Sequence, residues 1–295
     1  MTSEYILVTK YYNERKLLPQ LIENIANQTL EPYCIVLIDD GSTDDSTEVG
    51  VKTARKEDLE VKVVSMPQKD RGNLDTLGVA WNKAQPLLKK LARKVDYVGT
   101  ADVDTHFPHE YFEKGIEFLD SHPLVGVVSG QIAGKEKRHF PMFTGKIVRS
   151  QVIQSIEKYW DISVDSFINI KAIKMGFDVE IMDDLEVESK PSHLVSSEGR
   201  FRAGRIAYYA GVRPRYAIVK ALTKRDSDFL RGYWQEYHRG TWRCQDEDIR
   251  EYYDKELYRK IMSALNKFLG LNLNKRGVSP KESSRIVTNS LKEGG

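Results

Sequence analysis

Short apolar runs alternate with helical stripes through the first two thirds of the chain. Residues 5–9 form one apolar run. After polar Asn13 and Glu14, the residues Leu17, Leu18, Leu21, Ile22 and Ile25 recur three and four apart. That spacing puts them on one helix face, with Pro19 near the start, where its missing N–H does least harm. A second run, 33–38, ends in Asp39, Asp40, Gly41, Ser42, Thr43 and Asp44; Gly41 suits a tight turn, and Thr43 or Asp44 suits a helix cap. A third run covers 59–64. Polar Lys69, Asp70, Arg71, Gly72 and Asn73 then lead into a long helix with Leu74, Leu77, Trp81, Ala84, Leu88 and Leu91 in line and a kink expected at Pro86. A fourth run, 95–100, is followed by Ala101 and by two carboxylates one residue apart, Asp102 and Asp104.

Beyond them, 109–121 reads as helix and 124–131 as a fully apolar strand. Residues 135–149 read as a basic, irregular connection. A second helical pattern, 162–175, has Asp161 and Asp165 at its start, where a helix N-terminus favours carboxylates. Residues 177–188 read as one or two short strands. Strands alternating with helices imply βαβ units and a mostly parallel sheet. Right-handed crossovers then bring Thr9, Asp39 and Asp102 to one edge of that sheet, where open α/β sheets bind ligands. The expected organisation is an α/β domain over 1–190, a basic helical extension over 191–270 and a polar, flexible tail over 271–295.

Composition narrows the picture a little. In 295 residues, 40% are hydrophobic and 30% charged, as in an ordinary soluble globular protein. A net charge of +2 gives no global signal for nucleic acid. Two cysteines, Cys34 and Cys244, are too few for a disulfide framework and fit a reducing, cytoplasmic compartment. The apolar start at 5–8 is too short for a signal peptide, and no apolar stretch is long enough to span a membrane.

The chemistry concentrates at Asp102 and Asp104. Carboxylates held this close repel unless something positive lies between them, and a divalent cation bound to a phosphate is the usual partner. A solvated acidic turn is the bland alternative. Between Arg200 and Arg225 eight cations occur without an acidic residue, interleaved with Phe201, Tyr208, Tyr209 and Tyr216. Such a run fits a solvated helix face, a diphosphate clamp or an anionic membrane surface met by 190–225. From Asp226 to Leu269 a mixed-charge helical pattern follows, with Ile249, Tyr253, Leu257, Ile261, Leu265 and Phe268 on one seam.

Several motifs in order resemble family-2 glycosyltransferases. Val8 to Glu14, with Tyr12, Asn13 and Glu14 at its end, resembles the family's first strand into Tyr-Asn-Glu. Gln28 follows, and Val36 to Asp44 resembles its second strand into Asp-Asp-Gly-Ser-x-Asp. Gly72, Ala80 and Asn82 are similar to the family's Gly and Ala-x-Asn helix, and Asp102-Val103-Asp104 to its Asp-x-Asp. The resemblance covers roughly 5–187. It implies a GT-A nucleotide-diphospho-sugar fold and a metal-dependent, inverting hexosyl- or N-acetylhexosaminyltransferase. A UDP- or GDP-sugar would be its donor, and a glycan or lipid-linked acceptor its second substrate.

By that resemblance Lys10, Tyr12 and Glu14 line the nucleoside pocket, Asp39 and Asp40 meet the base, and Arg71 meets base or phosphate. Asp102 touches ribose or sugar, and Asp104 binds Mg²⁺ or Mn²⁺, with His193 as a further ligand. The acceptor's base is Asp165, or Asp161 one turn earlier. The family's Glu before that Asp is replaced here by Val164.

Two rivals stand beside this reading. Asp102, Asp104 and Thr105 after an apolar strand also resemble the nucleophile motif of haloacid-dehalogenase phosphatases, with Asp183 and Asp184 as the later acidic pair. There Asp102 is a covalent nucleophile. A catalytically silent nucleotide-sugar-binding protein is the other.

Overall fold

The computed structural model describes residues 3–68, 76–134, 140–160, 164–189 and 196–253. Its chain divides into two compact units, Met1–Ser192 and His193–Gly295.

The first unit is an eight-stranded mixed sheet flanked by helices. In chain order the elements are β1 (Tyr5–Tyr11), α1 (Leu17–Ala26), β2 (Cys34–Asp39), α2 (Ser46–Lys56), β3 (Val61–Ser65), α3 (Thr76–Ala92) and β4 (Tyr97–Ala101). There follow β5 (Thr105–His106), α4 (Tyr111–Ser121), β6 (Val125–Ile132), β7 (Lys146–Arg149), α5 (Ser150–Ser155), α6 (Val164–Lys174) and β8 (Asp178–Ser189). The strand order is β3-β2-β1-β4-β7-β6-β8-β5. Strands β3, β2, β1 and β4 are mutually parallel, as the βα alternation predicts. β7 runs antiparallel between β4 and β6, and β8 is parallel to β6.

Continuous apolar runs become central strands because both sheet faces are covered. On one face Tyr5, Leu7, Ile35 and Leu37 pack with Leu18, Leu21, Ile22 and Ile25 of α1 and with Tyr111, Phe112 and Ile116 of α4. The alternate residues Ile6, Val8, Val36 and Ile38 are fully buried too. α3, α5 and α6 pack against one another, beside Trp81 and Tyr159 set edge to face and Phe167 tilted against Tyr159. α3 runs continuously through Pro86. Asn82 of α3 grips the backbone of Tyr159 on both sides, donating to its carbonyl at 3.0 Å and accepting from its N–H at 2.8 Å.

The structure departs from the sequence reading in three places. The connection 135–149 is not irregular throughout: its last residues are β7, a buried central strand. Four residues beginning with a lysine carry too little periodicity to announce a strand, and their antiparallel pairing to β4 and β6 is entirely non-local. α5 follows β7 directly and was not anticipated. Residues 178–189 make one long strand where one or two short ones are expected, its register shifting at irregularities against β6.

The second unit contains α7 (Ser197–Tyr209), α8 (Pro214–Lys224) and α9 (Ser227–Arg239). Gly204 and Gly232 let α7 and α9 touch backbone to backbone: a Cβ at Gly204 would stand 1.9 Å from the Phe229 carbonyl oxygen. Tyr208, Val212, Ala217, Ala221, Phe229 and Tyr233 form its core. The helical pattern read from Asp226 onward is interrupted at Gly240, whose positive φ ends α9, and helix resumes at 247.

Candidate functional site

The C-terminal ends of β1, β2 and β4 lie side by side, with Tyr11 paired to Asp39 and Thr9 to Ala101. This edge carries the polar groups singled out from the sequence. Beyond β2 the chain turns sharply at Gly41, whose φ is +83°; a Cβ there would meet the Pro67 carbonyl oxygen at 2.6 Å. Only glycine fits such a position without strain.

Asp39 braces this turn. Its Oδ1 accepts from the Ser42 N–H at 2.8 Å and its Oδ2 from the Thr47 hydroxyl at 3.0 Å, which in turn meets the Tyr11 hydroxyl at 2.8 Å. Asn13, itself at φ +54°, accepts from the Thr43 N–H at 2.8 Å, and its own N–H reaches the Ser42 hydroxyl at 3.0 Å. The two motif loops are thus laced into one surface. Asp40 is buried and pairs with the half-buried Lys10 ammonium at 3.2 Å. Tyr12 and Glu14 stand partly exposed beside them, and the Glu14 carbonyl caps the first turn of α1.

Asp102 and Asp104 follow β4 in a turn held from two sides. The Asp102 N–H donates to the Thr144 hydroxyl at 3.1 Å, and that hydroxyl lies 2.6 Å from the hydroxyl of Thr105. From α1, Asn24 exchanges two hydrogen bonds with the backbone of Phe107, and Gln28 donates to the Pro108 carbonyl at 2.9 Å. The motif glutamine therefore works as a brace for the chain leaving the carboxylates.

Asp102 meets solvent at the mouth of this edge, yet the surrounding chain desolvates its inner side. That desolvation, followed by the charges of Asp104 and Asp165 and opposed by Lys10, pushes its carboxyl up to about 7. Solvent screening at the open side trims the size of the effect, but the cause is geometric. Three carboxylates and one lysine from three separate segments act on one another here.

Asp165 stands in the first turn of α6. Lys146, fully buried at the start of β7, donates its ammonium to the Asp165 carbonyl at 2.6 Å. Val164, where the family's glutamate is expected, is buried. Lys146, Thr144 and Asn24 were not foreseen. Lys146 and Thr144 sit in the connection without periodicity, and Asn24 looks like an ordinary polar position on an amphipathic helix. Arg71, Asp161 and His193 lie outside the described residues. Among the described residues, no group of three His, Cys, Asp or Glu side chains is placed to hold a metal ion. Asp183 and Asp184 project from the middle of β8 at an exposed stretch.

Residues 6–170 match the family model for glycosyl transferase family 2. No curated protein matches the chain by sequence. Among solved structures the chain is similar to S. aureus TarS 1–349 in complex with UDP-GlcNAc, at TM-score 0.51 and 19% identity, covering 69% of this chain and 65% of that one. It spans 40% of the longer TarS chain. It is similar also to the mannosyltransferase PcManGT from Pyrobaculum calidifontis in complex with GDP-Man and Mn²⁺, at TM-score 0.55 and 16% identity, over 99% of this chain and 81% of that one. A third similar structure is glucosyl-3-phosphoglycerate synthase from Mycobacterium tuberculosis with Mn²⁺, UDP and phosphoglyceric acid, at TM-score 0.50 and 14% identity, over 70% and 78%. At these identities the likeness is one of fold.

Proposed function

Because the chain belongs to glycosyl transferase family 2, and is a glycosyltransferase on that ground, we propose the following reaction. It transfers a sugar from a UDP- or GDP-sugar to an acceptor hydroxyl or lipid phosphate, with inversion at the sugar carbon. Asp102 and Asp104 hold a divalent cation, and Asp165 is the base. The observation that carries this reading is the convergence of Asp102, Asp104, Asp165 and Lys10 at one sheet edge. Two carboxylates one residue apart in a turn, each raising the cost of the other's charge, favour a cation between them.

The residues fit such an ion. The donors are hard carboxylate oxygens, two of them in one short turn, which suits Mg²⁺ or Mn²⁺ completing its shell with phosphate oxygens and water. When bound, the cation supplies Lewis-acid stabilisation of the charge on the departing nucleotide. The chain's own residues do the rest. The Lys10–Asp40 pair and the Asn13-laced loop form the floor for the nucleoside, with Tyr12 and Glu14 beside it. Thr144 fixes the turn that carries Asp102. Asp165 accepts the acceptor's proton at a carboxylate oxygen as the hydroxyl attacks. The neighbours solved with UDP-GlcNAc, with GDP-Man and Mn²⁺, and with UDP and Mn²⁺ support the donor class. Family membership sets aside the phosphohydrolase reading, in which Asp102 opens the fold as nucleophile; here three parallel strands precede it.

Cys34 and Cys244 are both buried and are not joined in a disulfide, in keeping with a reducing cytoplasm. No described helix is long and apolar enough to cross a membrane.

Titration calorimetry with UDP and with GDP, each with and without Mn²⁺, tests the reading. Metal-dependent binding of one nucleotide is the expected result, and absence of binding by either under every metal condition refutes it. Turnover of the matching nucleotide-sugar then separates an enzyme from a silent binding protein.

A further inference from the structure

α8 is built inside out. Its inward face buries only the small side chains Ala217 and Ala221. Its large apolar side chains point outward: Ile218 is 37% exposed, Val219 51% and Leu222 70%. These three positions follow helical spacing and make one stripe along the outer face. A helix that folds only to fill a core does the reverse, placing alanines outside and leucines within. Leaving this much branched apolar surface in water costs free energy.

The stripe is bordered by positive charge. Arg213 and Arg215 at the start of α8 and Lys224 and Arg225 at its end are all exposed. No aspartate or glutamate occurs from Arg200 to Arg225. On α7, Arg200 and Arg205 are engaged within the unit, while Arg202 is exposed. Arg200 lies 3.5 Å from Asp226 and 3.2 Å from Asp228, and Arg205 lies 2.6 Å from Glu236. Lys220 stands over the Phe229 ring at 4.2 Å. Within the basic run expected from the sequence to meet a surface over 190–225, the outer face of α8 is where exposed cations flank an exposed apolar stripe.

We propose that this face, Ile218, Val219 and Leu222 within a rim of Arg215, Lys224 and Arg225, docks the protein on an anionic lipid bilayer. An apolar stripe with cations at both ends matches the interfacial zone, where acyl chains take the stripe and anionic headgroups take the rim. A second copy of the chain is a poorer occupant, because it would set two cationic rims against each other. Eleven residues reach about 16 Å at 1.5 Å per residue, so α8 lies in the interface and does not span it. The inference is independent of the donor chemistry at the sheet edge.

The test is flotation of the full chain with phosphatidylcholine vesicles carrying roughly 30% phosphatidylglycerol, against phosphatidylcholine alone. The chain is expected to float with the anionic vesicles only, and to be released in part by ~0.5 M salt. Replacing Ile218, Val219 and Leu222 together by serine should lower partitioning about tenfold or more, with the thermal melt preserved. If that variant fails to fold, Arg215→Glu with Arg225→Glu should lower binding comparably while leaving the stripe intact. Absence of flotation overturns the proposal, as does equal flotation on neutral vesicles or full binding by a folded serine variant. Sedimentation showing a dimer that the serine substitutions dissolve, without vesicle binding, gives the face to a second copy and also overturns it.

Discussion

The Lys146 ammonium donates to the backbone carbonyl of Asp165 across 2.6 Å. Lys146 pairs with Thr100 in the sheet, one step before the strand end that carries Asp102. The bond therefore ties the first turn of α6 to the strand register that sets the carboxylate pair. The bond is made by a fully buried lysine.

Burial lowers the Lys146 amine from its ordinary value of 10.5 to about 7, with Asp165 pulling the other way. Between those values the unfolded chain holds the proton more often than the folded one, so folding stability from this group rises with pH across that window. The slope reaches at most about 1.4 kcal/mol per pH unit. Thermal melts of the wild type and of Lys146→Met between pH 7 and 9.5 check this. The wild type should gain stability relative to the variant as pH rises, and parallel curves would refute it.

Lys146→Met also removes the donor that orients α6. Because a misplacement of about 1 Å in a reacting group costs up to roughly a hundredfold in rate, kcat should fall by one to two orders of magnitude. KM for the nucleotide-sugar should change little, since the nucleoside floor belongs to β1 and β2. Steady-state kinetics with varied donor separates the two effects; a rise in KM at unchanged kcat contradicts the assignment.

Asp104→Asn and Asp165→Asn should fail differently. The first should abolish metal-dependent nucleotide binding in calorimetry. The second should leave that binding intact and lower kcat by roughly a hundred- to ten-thousandfold, the range of a general base. Equal loss of binding in both variants would refute the separation of metal ligand from base.

Asn13→Ala breaks the lacing between the two motif loops and leaves the Thr43 N–H without its acceptor. Because that N–H is exposed and can turn to water, a loss of about 0.5–1.5 kcal/mol in stability is expected. Urea unfolding measures that loss, and a raised donor KM at near-normal kcat should accompany it.

Asn82→Ala removes both bonds to the Tyr159 backbone. The expected loss is about 1–3 kcal/mol, and faster amide exchange in 156–160 should reveal where the structure has loosened. Unchanged exchange there would show that the neighbouring Gln85 bond to the Ile153 carbonyl, at 3.2 Å, suffices.

Local patterns decided much of this protein. Apolar runs covered on both faces, helical stripes such as Leu18 to Ile25, and the turn at Gly41 are all short-range signals. They were enough to place Thr9, Asp39 and Asp102 on one edge, because parallel βαβ units follow a single handedness. What folding alone decided is what depends on distant partners. Lys146 reads as one more charge in a basic connection until β7 is inserted antiparallel between β4 and β6. Asp165 reads either as a helix-start carboxylate or as the base that the resemblance implies; the fold is what makes its charge act on Asp102. In α8 the sequence shows cations and apolar residues mixed together. Only packing against α9 determines that the alanines turn inward and that Ile218, Val219 and Leu222 face out. Periodicity reports which residues share a face, but the partner that covers a face is set by contacts far away along the chain.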